Sequence, residues 1–213
     1  MVVKMMDAQT ISSLLRPFLA KPPNATQLEQ ISVYLDLLVK WNSKMNLTSV
    51  RQPEEMIARH FGESLFAAQV LSAQKRHRHS LLDLGSGAGF PGLPIKIALP
   101  DLQVVLAESQ HKKATFLKEV IRSLGLSEIA VHAGRAEELK REFEVVTMRA
   151  VDGQEDLLHA ASHLVSSRGL LLLMLGSSGV DSTKAALPNF TWKEAERIPP
   201  STGRWVLIGD KLN

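Results

Sequence analysis

The sequence predicts an α/β fold, a doubly wound and mostly parallel sheet preceded by an N-terminal helical extension. Three observations predict it. The first 72 residues carry helical periodicity and no clear strand. From Ser80 onward, short apolar runs alternate with helical patterns. The first of these runs, SLLDL, opens directly into the glycine-rich turn GSGAG, followed by a helical pattern bounded by Pro100. Open α/β sheets hold nucleotide-like ligands at such a junction.

Composition bounds the possibilities. A chain of 213 residues, 45% hydrophobic and 22% charged, can bury the core of one ordinary domain. It has no cysteine, which excludes a disulfide framework and thiolate metal sites. MVVKMMDAQT lacks the apolar region of a signal peptide, and the longest apolar run, Leu170–Leu175, is too short to span a bilayer. A cytoplasmic protein without a membrane partner is expected. The net charge of +3 does not indicate stand-alone, high-affinity nucleic-acid binding. The stretch QKRHRH, Gln74–His79, is densely basic and reads either as a solvated linker or as a neutraliser of phosphates.

Taken in order, the elements read as follows. Thr26 and Glu29 match a capping box, and Leu28, Ile31, Leu35 and Leu38 recur on one helical face, with Trp41 near its end. Trp41–Arg51 is polar and turn-like. A helix starts after Pro53, with Glu54 and Glu55 at its positive end and Met56, His60, Leu65 and Ala68 near a common face. Strands are predicted at Leu81–Leu84, Gln103–Glu108, Ile129–His132, Glu144–Met148 and Leu170–Met174. The clearest helix between them is Lys112–Leu124, with Phe116, Leu117, Val120, Ile121 and Leu124 inward and Gly125 as terminator. Trp192–Arg197 and Trp205–Ile208 suit a closing hairpin. The domain reading is a helical cap over 1–72 and a sheet domain over 73–213, forming one compact unit.

The glycine turn narrows the ligand. A P-loop needs lysine and Ser or Thr after its last glycine, whereas Gly89 precedes Phe90 and Pro91. The dinucleotide fingerprint G-x-G-x-x-G fails at its third place, which is Phe90. The spacing is instead D-x-G-x-G-x-G, with Asp83, Gly85, Gly87 and Gly89. A carboxylate beside the turn suits an amine-bearing ligand better than a pyrophosphate. Glu108, ending the second strand, suits a ribose diol, as in both NAD and S-adenosylmethionine sites. After the third strand, AGRAEEL puts Ala136 and Glu137 where an adenine would lie, although acids at a helix start are also favoured by the dipole. The pattern favours an S-adenosylmethionine-dependent methyltransferase over a nucleotide-dependent oxidoreductase, which stays open.

The fourth strand ends in Arg149, within MRAVD. It lacks the Asn/Asp-Pro-Pro-aromatic run that aligns an exocyclic nitrogen, which argues against adenine-N6 or cytosine-N4 chemistry. A guanidinium here suits a phosphate or the cofactor's carboxylate. A ring nitrogen such as guanine N7 has a free lone pair and needs no general base, only alignment.

In combination, WNSKMNLTSVR, Met56, RHFGES at Arg59–Ser64, DLGSGAGFPGLP, Glu108, FLKEV, RAEEL and Arg149–Ala150 resemble the bacterial glucose-inhibited division protein B family. The resemblance covers roughly Trp41 to Val151. It implies a class I, Rossmann-like methyltransferase acting on a guanine N7 of 16S rRNA in the small ribosomal subunit, as a monomer and not on DNA. It also implies that Gly85, Phe90, Ala136, Glu137 and Arg149 bind S-adenosylmethionine, beside Gly87, Gly89 and Glu108 from the spacing itself. Asn46, Arg59 and His60 fall on the substrate side, with Arg149, Asn46 and His60 as the catalytic set. Two departures stand out: Glu63–Ser64 replaces the family's Asp-Ser pair, and Leu175 stands before Gly176 where the family carries lysine. A catalytically weakened RNA- or ribosome-binding protein of the same fold is therefore the rival expectation.

Plainer readings stand beside these. His60 can be a buried histidine satisfied by a neighbour. Asn42, Asn46 and Thr48 can cap a turn, and Trp41 can be core. His159 and His163 have zinc-compatible spacing but no third ligand, so no metal is expected.

Overall fold

The computed structural model describes residues 6–74, 76, 78–149 and 155–212, with the side chain of Glu137 outside that description. Five parallel strands form the centre: β1 (Ser80–Leu84), β2 (Gln103–Ala107), β3 (Ile129–His132), β4 (Phe143–Arg149) and β5 (Val165–Gly176). Three C-terminal strands follow, β6 (Phe190–Trp192), β7 (Glu196–Arg197) and β8 (Arg204–Lys211). The order is β3-β2-β1-β4-β5-β8-β6, with β8 antiparallel to β5 and both β6 and β7 antiparallel to β8. The connection reverses between β1 and β4, and a crevice opens at the carboxyl ends of strands at such a switch.

Alternation along the strands sorts side chains to two faces. Leu81, Val145, Leu170 and Leu172 face one layer, and Leu82, Val146, Leu171 and Leu173 face the other. The first layer holds α1 (Ala8–Leu15), α2 (Ala25–Met45), the segment from α3 (Pro53–Met56) to α4 (Glu63–Ser72), α5 (Gly92–Ala98) and α6 (His111–Ser123). The second holds α7 (Glu155–Leu164) and α8 (Gly179–Ala186). The N-terminal helices and the sheet thus share one hydrophobic cluster.

Several expectations are corrected. The cap of α2 is Asn24, not Thr26: Asn24 accepts from the Gln27 amide at 2.9 Å, and Gln27 Oε1 accepts from the Asn24 amide at 2.9 Å. Pro22 and Pro23 keep the preceding chain out of the helix, so its first orphan amides fall to Asn24. The helix then runs through Trp41 to Met45, a stretch expected as a turn, and stops where Asn46 adopts φ 36°. The strand at Leu170–Met174 extends from Val165 to Gly176, its polar start Ser166–Arg168 hiding it from an apolar count. The remaining central strands agree to within a residue or so at either end, and α6 is displaced by one residue.

Between α3 and α4 the helix widens into a π-helical turn, Ile57–Gly62. Gly62 lets Phe18 pack against it, since a Cβ there would lie 2.6 Å from the ring. This wide turn carries Arg59 and His60 toward the end of β4.

Candidate active site

The turn after β1 is shaped by three glycines in the left-handed region, Gly85 (φ 68°), Gly87 (φ 58°) and Gly89 (φ 94°). They differ in surroundings. A Cβ on Gly85 would meet nothing closer than Leu157 at 3.8 Å, and one on Gly87 nothing closer than a backbone oxygen at 3.8 Å. A Cβ on Gly89 would lie 2.4 Å from Leu93 and 2.5 Å from the Tyr34 hydroxyl. Gly85 and Gly87 therefore leave backbone open to approach, while Gly89 is pressed against the helical layer.

Tyr34, from α2, is fully buried and donates its hydroxyl to the Ala88 carbonyl. Its ring stacks on Phe90 at 5.3 Å, and His60 stacks on Phe90 from 4.9 Å. Phe90 is thus sandwiched in protein, with Phe61 edge-on at 5.1 Å. The sequence reading missed Tyr34; a lone tyrosine in an apolar stripe was the available signal, because a buried phenol needs an acceptor.

Asp83, expected beside the turn where it would suit an amine-bearing ligand, lies beneath the turn instead. It is fully buried, its Oδ2 accepts from the Gly92 amide at 3.1 Å, and its Oδ1 has no partner among the described residues. Burial pushes its carboxyl up to about 7 against the hydrogen bonds that favour the anion. Gly92 permits this approach, as a Cβ there would sit 2.6 Å from Asp83 Oδ2. Asp83 anchors the turn from beneath. Glu108 lies one residue beyond β2, with Oε2 accepting from the Gly87 amide at 2.9 Å and Oε1 from the Gln110 amide at 2.8 Å. These bonds hold the carboxylate beside the open glycines.

At the end of β4, Arg149 binds two groups of the wide helical turn and the first residue of α4. Its Nη2 donates to the Arg59 carbonyl at 2.7 Å and to Glu63 Oε2 at 2.9 Å, and its Nη1 lies 3.2 Å from His60 Nδ1. Arg204, from β8, approaches the other oxygen of Glu63 at 3.3 Å. A guanidinium can only donate, so His60 Nδ1 accepts and the ring proton sits on Nε2, donating to Thr48 Oγ1 at 2.8 Å. Burial and the neighbouring Arg149, Arg59 and Arg204 push the His60 imidazolium down to about 3, which keeps the ring neutral. Thr48 is held by Asn42, whose Oδ1 accepts the Thr48 amide at 2.9 Å.

The structure therefore brings Arg149 and His60 together and adds Glu63, Arg204 and Thr48. Asn46 is outside this network: it is exposed, and its Oδ1 accepts from Arg51 at 2.6 Å. Ala136 sits buried in the 3-10 turn Ala136–Glu138 after β3, whereas the Glu137 side chain lies outside the described residues. Leu175 is buried on the sheet face of α7 and α8, opposite the face of Arg149 and His60. The exchange expected near the active face thus lies behind it. The basic stretch falls before β1, at the amino edge of the sheet, and its Lys75 and His77 lie outside the described residues.

A family model described as GidB, rRNA small subunit methyltransferase G, matches residues 27–199. A "Ribosomal RNA small subunit methyltransferase G" of Xylella fastidiosa (strain M23) is 40% identical over 179 residues, 82% of each chain. One from Lachnoclostridium phytofermentans is 48% identical over 134 residues, 60% of this chain and 54% of that one. In fold, the chain is similar to a SAM-dependent methyltransferase from Aquifex aeolicus, with a TM-score of 0.57 at 13% identity, over 68% of this chain and 89% of that one.

Proposed function

The chain belongs to the GidB family, rRNA small subunit methyltransferase G, and from that premise we propose the following reaction. The chain is an S-adenosylmethionine-dependent enzyme that methylates N7 of a guanine in the 16S rRNA of the small ribosomal subunit. The observation that carries this reading is the open glycine turn with Glu108 beside it at the topological switch point.

The residues fit the cofactor. Gly85 and Gly87 expose backbone that no side chain fills, and Glu108 offers acceptors for a ribose diol. Gly85, Gly87, Glu108 and Ala136 would hold it, with Gly89 and Phe90 supporting the turn from behind. When bound, S-adenosylmethionine supplies an electrophilic methyl carbon on a sulfonium. The protein's task is alignment and charge, because guanine N7 carries no proton to remove. His60 is neutral and already donates its ring proton to Thr48, so it orients and packs and does not act as an acid. Arg149 supplies positive charge at the end of β4, and Glu63 fixes the direction of its fork. The Arg59 carbonyl meets Arg149 and its side chain is half-exposed, which supports a contact with substrate, while Asn46, exposed and paired with Arg51, keeps only the part that the family resemblance implies.

The test is methyl transfer to small subunits from cells lacking the protein, with the modified base identified by mass spectrometry. One N7-methylguanosine in 16S rRNA is expected. Arg149→Lys, which keeps the charge but loses the fork, is expected to reduce kcat/KM by about 10²-fold. Tight binding of NAD with none of S-adenosylhomocysteine would overturn the assignment.

A further inference from the structure

At the amino edge of the sheet, opposite the glycine turn, lies a cavity of about 650 Å³. Its lining includes Arg76, Arg78, Arg168, Lys193 and Lys211, with Asp210 as the one carboxylate among the described lining residues. These side chains come from three separate parts of the chain: the segment before β1, the start of β5 and the C-terminal strands. The site is built around Arg78. Its side chain is only 9% exposed, Nη1 donates to the Arg168 carbonyl at 3.0 Å, and Nη2 lies 3.7 Å from Asp210. Its Nε is buried with no hydrogen-bond partner among the described residues. Arg78 therefore braces the wall of the cavity, and the exposed Arg76 and Lys193 present their cations to an anion oxygen within it. Asp210 is shared between Arg78 and Lys193, at 3.4 Å from the latter, so it offsets only part of the charge.

We propose that this cavity is a phosphate-binding site for the RNA backbone, a second anchor on the side of the sheet away from methyl transfer. The inference rests on the rRNA-methyltransferase reading. The two sites lie at opposite ends of β1, whose five residues span about 15 Å. An RNA that places a base over the carboxyl edge can reach both only if it wraps one flank of the protein. That suits a folded RNA or an assembled particle, and phosphate contacts of this kind fix register without reading sequence. The contribution is electrostatic, so it weakens with salt.

The test uses the full chain with Arg76→Gln and Lys193→Gln combined, both exposed and remote from the glycine turn. Binding of small-subunit rRNA is measured by filter retention across a salt series, independently of methyl transfer, with pyrophosphate titrated separately by calorimetry. The double variant is expected to weaken rRNA binding by about tenfold and to flatten the log K against log salt slope by about 1.4–1.8. Its affinity for S-adenosylhomocysteine stays unchanged. Arg78→Lys, which keeps the charge but loses the fork that holds the Arg168 carbonyl and Asp210, is expected to weaken pyrophosphate binding while retaining the wild-type circular dichroism spectrum. Unchanged rRNA affinity and slope in the double variant overturn the proposal. Loss of pyrophosphate binding with unchanged rRNA binding overturns it too, and makes the site one for a free phosphate compound. Should wild type bind rRNA through these residues yet methylate nothing, the enzymatic reading fails and the anchor stands.

Discussion

Glu63 holds two guanidinium groups, and Asp83 holds none; the two carboxylates show what a sequence conveys about single residues. Glu63 was legible only as a substitution for aspartate, because neither Arg149 nor Arg204 is near it in sequence. Asp83 was legible as an acid before a glycine turn, but its depth was not: the face of β1 it occupies depends on which helices cover it. Its burial carries a consequence for pH. The carboxyl titrates near 3.8 when exposed and is pushed up to about 7 in the fold. Between those values the native state holds a proton that the unfolded chain has released, so stability falls as pH rises through that window. Asp83→Asn cannot ionise and lacks this dependence. Its melting temperature relative to wild type is therefore expected to rise from pH 4 to pH 8. A difference independent of pH would show that Asp83 is ionised in the fold throughout.

The strands and long helices were readable because burial on two faces leaves continuous apolar runs, and burial on one face leaves a stripe. Two devices were not. The π-helical turn at Ile57–Gly62 has the same apolar spacing as the α-helix around it, and the close packing of Phe18 on its Gly62 joins residues distant in sequence. The glycine turn was visible, but its division of labour was not, since Gly85 and Gly89 read alike in sequence. Gly89→Ala would force a Cβ into Leu93 and the Tyr34 hydroxyl at φ 94°. Urea unfolding is expected to show a loss of about 2–4 kcal/mol. Gly85→Ala, with 3.8 Å of clearance at φ 68°, is expected to cost about 1–2 kcal/mol from the backbone alone. Calorimetry with S-adenosylhomocysteine is expected to reverse the order among molecules that remain folded, with Gly85→Ala the more damaging. Equal stability losses would mean that Tyr34 does not brace the turn.

At the scale of the whole molecule, the division into a cap over 1–72 and a sheet domain over 73–213 meets a shared core. Ile31, Tyr34, Leu35 and Leu38 of α2 belong to the same buried cluster as Leu106, Val145 and Leu170 of the sheet. Trp41 extends the contact, donating Nε1 to Glu119 of α6 at 3.1 Å and lying 5.6 Å from the Phe116 ring. Removing the helices would uncover α5, α6 and the part of β5 under α4, and burial is the dominant favourable contribution to folding. One cooperative unit is therefore expected. The three tryptophans allow a direct measurement, because Trp41 reports the helices while Trp192 and Trp205 report the C-terminal strands. A variant carrying Trp192→Phe and Trp205→Phe isolates the first signal, and Trp41→Phe isolates the second. Each variant's fluorescence midpoint in guanidinium is expected to coincide with its own midpoint by far-ultraviolet circular dichroism. A fluorescence transition of Trp41 that precedes loss of the sheet would mean that α2 detaches before the sheet unfolds. The support of Tyr34 for the glycine turn would then be lost with it, leaving cofactor binding weaker than global stability implies.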